Sequence, residues 1–157
     1  MRSILAVLKR EWQAYFNSPA AYIFLVVFLS LSGWMYVRTL FLYNQADMRA
    51  YFGLIPWILM LLVPAVSMKS WAEEKKMGTI ELLLTAPVRD SEVILGKFLG
   101  SLGILVAMLV LTFYYPILLM LFGDPDIGSM VAGYLGLFLL GSAALAVGIF
   151  ASSLTSN

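Results

Sequence analysis

The chain has 157 residues, 62% of them apolar and 12% charged, against roughly 45–50% and 25% in an ordinary soluble domain. So much apolar surface excludes a water-soluble globule, and ten Lys+Arg against nine Asp+Glu leave none of the basic footprint a nucleic-acid partner needs. With no Cys and no His, disulfides, thiolate metal sites and imidazole acid–base chemistry drop out as well.

Residues 3–17 read as an amphipathic helix. At about 100° per residue, Ile4, Leu5, Leu8, Trp12, Tyr15 and Phe16 share one arc, and Lys9, Arg10, Gln13 and Asn17 lie opposite. That pattern suits a helix lying in the membrane interface; the alternative is an extension of the first span into the cytosol. Ile4–Leu8 is too short for the apolar region of a cleaved signal peptide. Ser18 then caps, and Pro19 opens, a new helix.

Beyond this point charges are confined to the borders of four uncharged stretches, 12–37, 50–68, 98–123 and 127–157. A hydrocarbon core about 30 Å thick takes about 20 helical residues, so the sequence predicts transmembrane helices at 19–42, 51–70, 94–122 and 130–154. The second contains Pro56 and Pro64, which a membrane helix tolerates when neighbours or water satisfy the freed carbonyls. Runs such as Ile104–Leu111 do not alternate, which argues against a β-barrel. In the third span, Tyr114-Tyr115-Pro116 reads as a kink with satisfied hydroxyls or as part of a substrate path. Gly96 and Gly100 in the third span, and Gly133, Gly136, Gly141, Ala144, Gly148 and Ser152 in the fourth, allow close helix approach.

Between the second and third spans, residues 72–92 form a charged segment with an apolar centre. Thr79 can cap a short helix after Gly78, Glu81 faces the positive end of its dipole, and Leu82, Leu83 and Leu84 follow. Ala86-Pro87 ends it. These leucines either pack back on the membrane helices or present a surface to a soluble partner. Glu73 and Glu74 sit beside Lys75 and Lys76 in a chain without His, so they read as partner-contacting acids rather than a metal or catalytic pair.

Orientation follows from the basic residues. With the N-terminus in the cytoplasm, Arg2, Lys9, Arg10, Lys69, Lys75, Lys76, Arg89 and Lys97 lie inside, and only Arg38 and Arg49 lie outside. Trp34, Tyr36, Tyr43, Tyr51, Trp57 and Tyr134 are then placed as aromatic anchors at the outer face, with Trp12, Tyr15, Tyr22 and Trp71 at the inner one. No ionisable residue lies deep in a span, which disfavours an ion-coupled carrier. No G-x-x-x-x-G-K-S/T phosphate loop is present, so the chain does not hydrolyse ATP itself.

The run from Glu73 through Gly78-Thr79, Glu81 and Leu82-Leu83 to Pro87 resembles the E-E-x-x-x-G-T-x-E-x-L-L-x-x-P signature of ABC-2-type transporter permeases. Gly96-Lys97-Phe98, Asn17-Ser18-Pro19, the 123–126 turn and Ala151–Thr155 resemble other marks of the family, most of all its gliding-motility-associated group. The resemblance implies an all-α polytopic fold: one transmembrane domain over 1–157 with an interfacial helix and the first four of six spans. Two further helices are then expected beyond Asn157. It also implies a multi-pass subunit of the bacterial inner membrane that works with a second permease copy or homologue and two ATP-binding subunits. Those subunits, not this chain, would bind ATP and Mg, so no cofactor and no catalytic or metal-binding residue is expected here. Glu73, Glu74, Gly78, Thr79, Glu81, Leu82, Leu83 and Pro87 would form the coupling segment that docks on the ATPase. The alternative from the residues alone is a non-transporting membrane scaffold whose leucine helix recruits a soluble partner.

Overall fold

A computed structural model of the chain describes residues 8–9, 12–14, 16–43, 48–77 and 90–154, with the backbone alone for 43, 69–77, 90 and 154. From Pro19 onward these hold five helices and, among the described residues, no strand: α1 (Pro19–Tyr43), α2 (Arg49–Met77), α3 (Asp90–Leu111), α4 (Tyr114–Phe122) and α5 (Ile127–Leu154). Four stretches are long and apolar enough to cross a membrane: Pro19–Leu42, Arg49–Met68, Ser91–Phe122 and Ile127–Ser153. The third is α3 and α4 in series. The protein is thus all-α and multi-pass, as composition and spacing predict.

Pairwise packing places the helices around a ring in the order α1, α2, α5, α3, with the largest interface between α2 and α5. Small residues on α5 explain that interface. A methyl at Gly133 would stand 2.5 Å from the Phe52 ring, and one at Gly148 would collide with the Ser67 hydroxyl and lie 3.2 Å from the Pro64 backbone. These two contacts also show that α2 and α5 run parallel. Gly141 opens the other flank of α5 to Leu105 of α3. Removing Cβ at such points lets backbones approach, which in lipid replaces the missing hydrophobic drive between helices.

The core follows helical spacing. Ala21, Phe28, Ser32, Tyr36 and Thr39 of α1 are buried, as are Tyr51, Ile55, Leu59, Leu62 and Val66 of α2. Large residues on the opposite faces, such as Phe41, Leu61 and Phe150, point outward, as expected where the surroundings are lipid.

α2 passes Pro56 and Pro64 without a break and continues nine residues past Met68, to Met77. The hydropathy pattern predicts an end at 70. Residues 71–77 are nearly all helix formers, and the next glycine is Gly78, so nothing local stops the helix earlier. At the other end, α5 starts at Ile127 rather than 130 because Asp126 caps it. The Asp126 carboxylate accepts the Gly128 N–H at 3.0 Å, and its carbonyl accepts the Met130 N–H at 3.2 Å.

In the N-terminal segment, the described residues 12–14 and 16 are helical. The Trp12 indole lies where a methyl on Gly103 would be, 2.6 Å from its Nε1, and meets Phe16 edge to face at 6.3 Å. Counting about 20 residues back from Phe122 for the hydrocarbon core reaches Gly103. Trp12 is therefore docked at the level of one membrane interface.

Candidate functional site

Two regions carry polar chemistry, one at each end of the bundle. The first is the extension of α2. The structure places Glu73 and Glu74 in its last turns, beyond the membrane-length stretch that ends at Met68. At 1.5 Å per residue Glu73 stands about 8 Å past that limit. Gly78, Thr79, Glu81, Leu82, Leu83 and Pro87 lie outside the described residues. One continuous helix therefore joins residue 77 to Tyr51 near its opposite end.

The second region is a cluster of hydroxyls and rings at the end of the bundle that carries the 123–126 turn. It is built around a break in the third span. Pro116 has no N–H, so the Thr112 carbonyl lacks its usual partner four residues on. Around it the chain tightens into three-residue turns: Thr112 N–H donates to Leu109, Phe113 N–H to Val110 and Tyr115 N–H to Thr112, at 3.0–3.1 Å. The Thr112 carbonyl also accepts the Tyr134 hydroxyl from α5 at 3.0 Å. Thr112 Oγ1 donates to the Leu109 carbonyl at 2.7 Å and lies 3.2 Å from the Tyr134 oxygen. Each hydroxyl has one proton, so Thr112 is spent on Leu109 and Tyr134 on the Thr112 carbonyl that Pro116 leaves without its usual donor.

α4 is tied to α1 just past the break. The Tyr36 hydroxyl donates to the Tyr115 carbonyl at 3.2 Å, and the rings of Tyr36 and Tyr115 stack at 4.5 Å. Ser32 Oγ donates to the Leu29 carbonyl, which leaves the Tyr115 hydroxyl as donor in the 3.2 Å Ser32–Tyr115 bond. Gly33 makes room for it: a methyl there would stand 3.1 Å from the Tyr115 oxygen. Tyr51 completes the cluster, 1% exposed, with its ring 5.6 Å from that of Tyr115. Its hydroxyl faces those of Ser32 and Thr112 but makes no hydrogen bond of good geometry to either.

This arrangement corrects the anchor reading. Trp34 and Trp57 do face outward, each 72% exposed, but Tyr36 and Tyr51 are buried and Tyr134 turns its hydroxyl into the bundle. Tyr36 and Tyr134 instead find carbonyl partners on neighbouring helices. Of the two readings of Tyr114-Tyr115-Pro116, the kink is what the structure contains. Sequence reasoning missed Ser32 and Thr112; the signal was Ser32, Tyr36 and Thr39 recurring on one helical face with Phe28. Lys97, assigned to the cytoplasmic flank, is 1% exposed. It lies about 7 Å beyond a 30 Å core counted from Phe122, because α3 and α4 together outrun the bilayer.

Nothing in the cluster has nucleophile–base geometry, and among the described residues no three His, Cys, Asp or Glu side chains converge as they would on a metal ion. The cluster's chemistry is positional: it fixes how the broken third span sits against α1 and α5. Compared with known families, residues 35–157 match the one described as ABC-2 family transporter protein. No curated protein and no solved structure matches the chain.

Proposed function

The chain belongs to the ABC-2 family of transporter proteins, and from that premise we propose that it is the permease subunit of an ATP-driven exporter in a bacterial inner membrane. In this reading the chain is not an enzyme. Two copies of a separate ATP-binding subunit hydrolyse ATP, and a second permease, identical or homologous, completes the transport unit. The match over 35–157 carries the reading, because it takes in the end of the first membrane helix, the other three spans and the charged segment between the second and third.

The coupling step belongs to that segment. Glu73 and Glu74 extend toward the ATPase on the end of α2, and Gly78, Thr79, Glu81, Leu82, Leu83 and Pro87 form the knob that docks. Closure of the ATPase on nucleotide would push the knob. The continuous α2 would pass that displacement to its packed neighbour α5 and to the cluster around Tyr51. Supporting the lever is the unbroken helix through Pro56 and Pro64; a flexible loop would absorb the displacement instead. The excess of basic residues on the same side as residues 72–92 supports a cytoplasmic position for the knob.

Changing Leu82→Asp together with Leu83→Asp tests this. The double variant should reach the membrane in normal amount and lose at least tenfold of the ATP-binding subunit that co-purifies with it. Undiminished co-purification would refute the docking assignment. A scaffold would also lose its partner in the double variant, but no ATP-dependent export would be lost with it.

A further inference from the structure

α4 is held more loosely than its neighbours. Of its nine residues only Tyr115 and Leu119 are buried, and among the described residues it makes no extensive backbone contact with another helix. At its start, Thr112 and Phe113 lie in three-residue turns, a geometry that inside a helix often marks a hinge. We propose that α4 rocks on this hinge between a position latched to α1 by the Tyr115 hydroxyl and a released one, with Tyr51 supplying the hydrogen bond that replaces the latch. The inference rests on the membrane-spanning fold alone, not on coupling to an ATPase.

The hydrogen bonds around α4 divide into a fixed set and a loose one. At the hinge the Thr112 carbonyl accepts both the Tyr115 N–H and the Tyr134 hydroxyl at 3.0 Å, which pins residue 112 to α5. Beyond the hinge, the two bonds between α4 and α1 are both 3.2 Å, longer than the roughly 2.5–3.0 Å usual for O–H···O. One of them, from Tyr36 to the Tyr115 carbonyl, sits in the first turn of α4 and travels little when the helix rocks. The other, from the Tyr115 hydroxyl to Ser32, lies at the tip of a long side chain and takes up the motion.

Tyr51 offsets the loss of that bond. Its ring is buried against those of Tyr36 and Tyr115, and its hydroxyl faces Ser32 without a hydrogen bond of good geometry. Ser32 has committed its own proton to the Leu29 carbonyl, so it serves either tyrosine only as acceptor. When Tyr115 leaves, Tyr51 takes its place, and the number of bonds on Ser32 is conserved. The departing Tyr115 hydroxyl has an acceptor at hand in Tyr114. A methyl on Gly33 would stand 3.1 Å from the Tyr115 oxygen and 3.8 Å from that of Tyr114, and the two rings are 4.0 Å apart. A buried hydroxyl without a partner is destabilising. Here that penalty falls on the latched position, which brings the two positions close in free energy.

Introduced cysteines can read the motion, since the chain has none of its own. Spin labels at Phe41→Cys and Leu121→Cys, on exposed positions of α1 and α4, report their separation by double electron–electron resonance in liposomes. Dilution with unlabelled protein restricts the signal to distances within one chain. Two distances should be present. Tyr115→Phe, which removes the latch, should raise the ratio of the longer to the shorter about fivefold, as expected for one hydrogen bond. Tyr51→Phe, which removes the replacement, should lower that ratio by a similar factor. Gly33→Ala, which crowds the Tyr115 oxygen, should act like Tyr115→Phe. A reference pair at Phe41 and Val131, on α1 and α5, should keep its distance in all three variants. A single distance, shifts of the same sign for the two tyrosines, or equal movement of the reference pair would overturn the proposal.

Discussion

Tyr51 and Tyr134 belong to one cluster and differ in what their hydroxyls hold. Tyr134 gives the Thr112 carbonyl a second donor beside the Tyr115 N–H, whereas the Tyr51 hydroxyl makes no hydrogen bond of good geometry. Tyr134→Phe should therefore cost about 0.6–1.7 kcal/mol, the range of interhelical hydrogen bonds in membranes. Tyr51→Phe should stay within about 0.5 kcal/mol of the parent or gain, since it removes a buried hydroxyl that makes no bond. Unfolding of the two variants in mixed micelles decides it, and equal losses would contradict the assigned bonds. From the sequence, tyrosines near the ends of spans are legible, but their direction is not. Rotation of a helix about its axis is fixed by packing against neighbours, and Tyr36 and Trp34 are only two residues apart yet face opposite ways.

The helices themselves were the most legible part, because membrane length is a sum over many residues and survives error at any one. The break in the third span was not legible in the same way. Three prolines fall inside spans; the helix runs through Pro56 and Pro64, and it is interrupted just ahead of Pro116. A proline removes one donor in every case, and whether the helix breaks depends on which group takes the freed carbonyl. Small residues on α5 have the same ambiguity. Gly148 meets the Ser67 side chain and the Pro64 backbone, while Gly136 has nothing within 4 Å. Gly148→Ala should cost about 1–3 kcal/mol through overpacking. Gly136→Ala should fall within about 0.5 kcal/mol. Thermal unfolding of the solubilised protein checks the contrast, and a neutral Gly148→Ala would show that the α2–α5 contact is looser than described.

Over the whole molecule, the chain forms a ring of membrane helices with a charged extension of α2 at one end and a hydroxyl cluster at the other. The family was legible in the run from Glu73 to Pro87, where charge, glycine and leucine alternate in a way that hydropathy alone would not demand. The cluster was not, because it joins Ser32, Tyr51, Thr112 and Tyr134 from four parts of the sequence. If α2 is the lever that joins the two ends, residues 72–92 must lie in the cytoplasm and the 123–126 turn on the other side. The chain has no Cys, so single cysteines can report this without background. With a membrane-impermeant maleimide, Asp124→Cys should be labelled in intact cells and Leu82→Cys only after the inner membrane is opened. Labelling of Leu82→Cys in intact cells would put the docking knob on the wrong side of the bilayer and contradict the account.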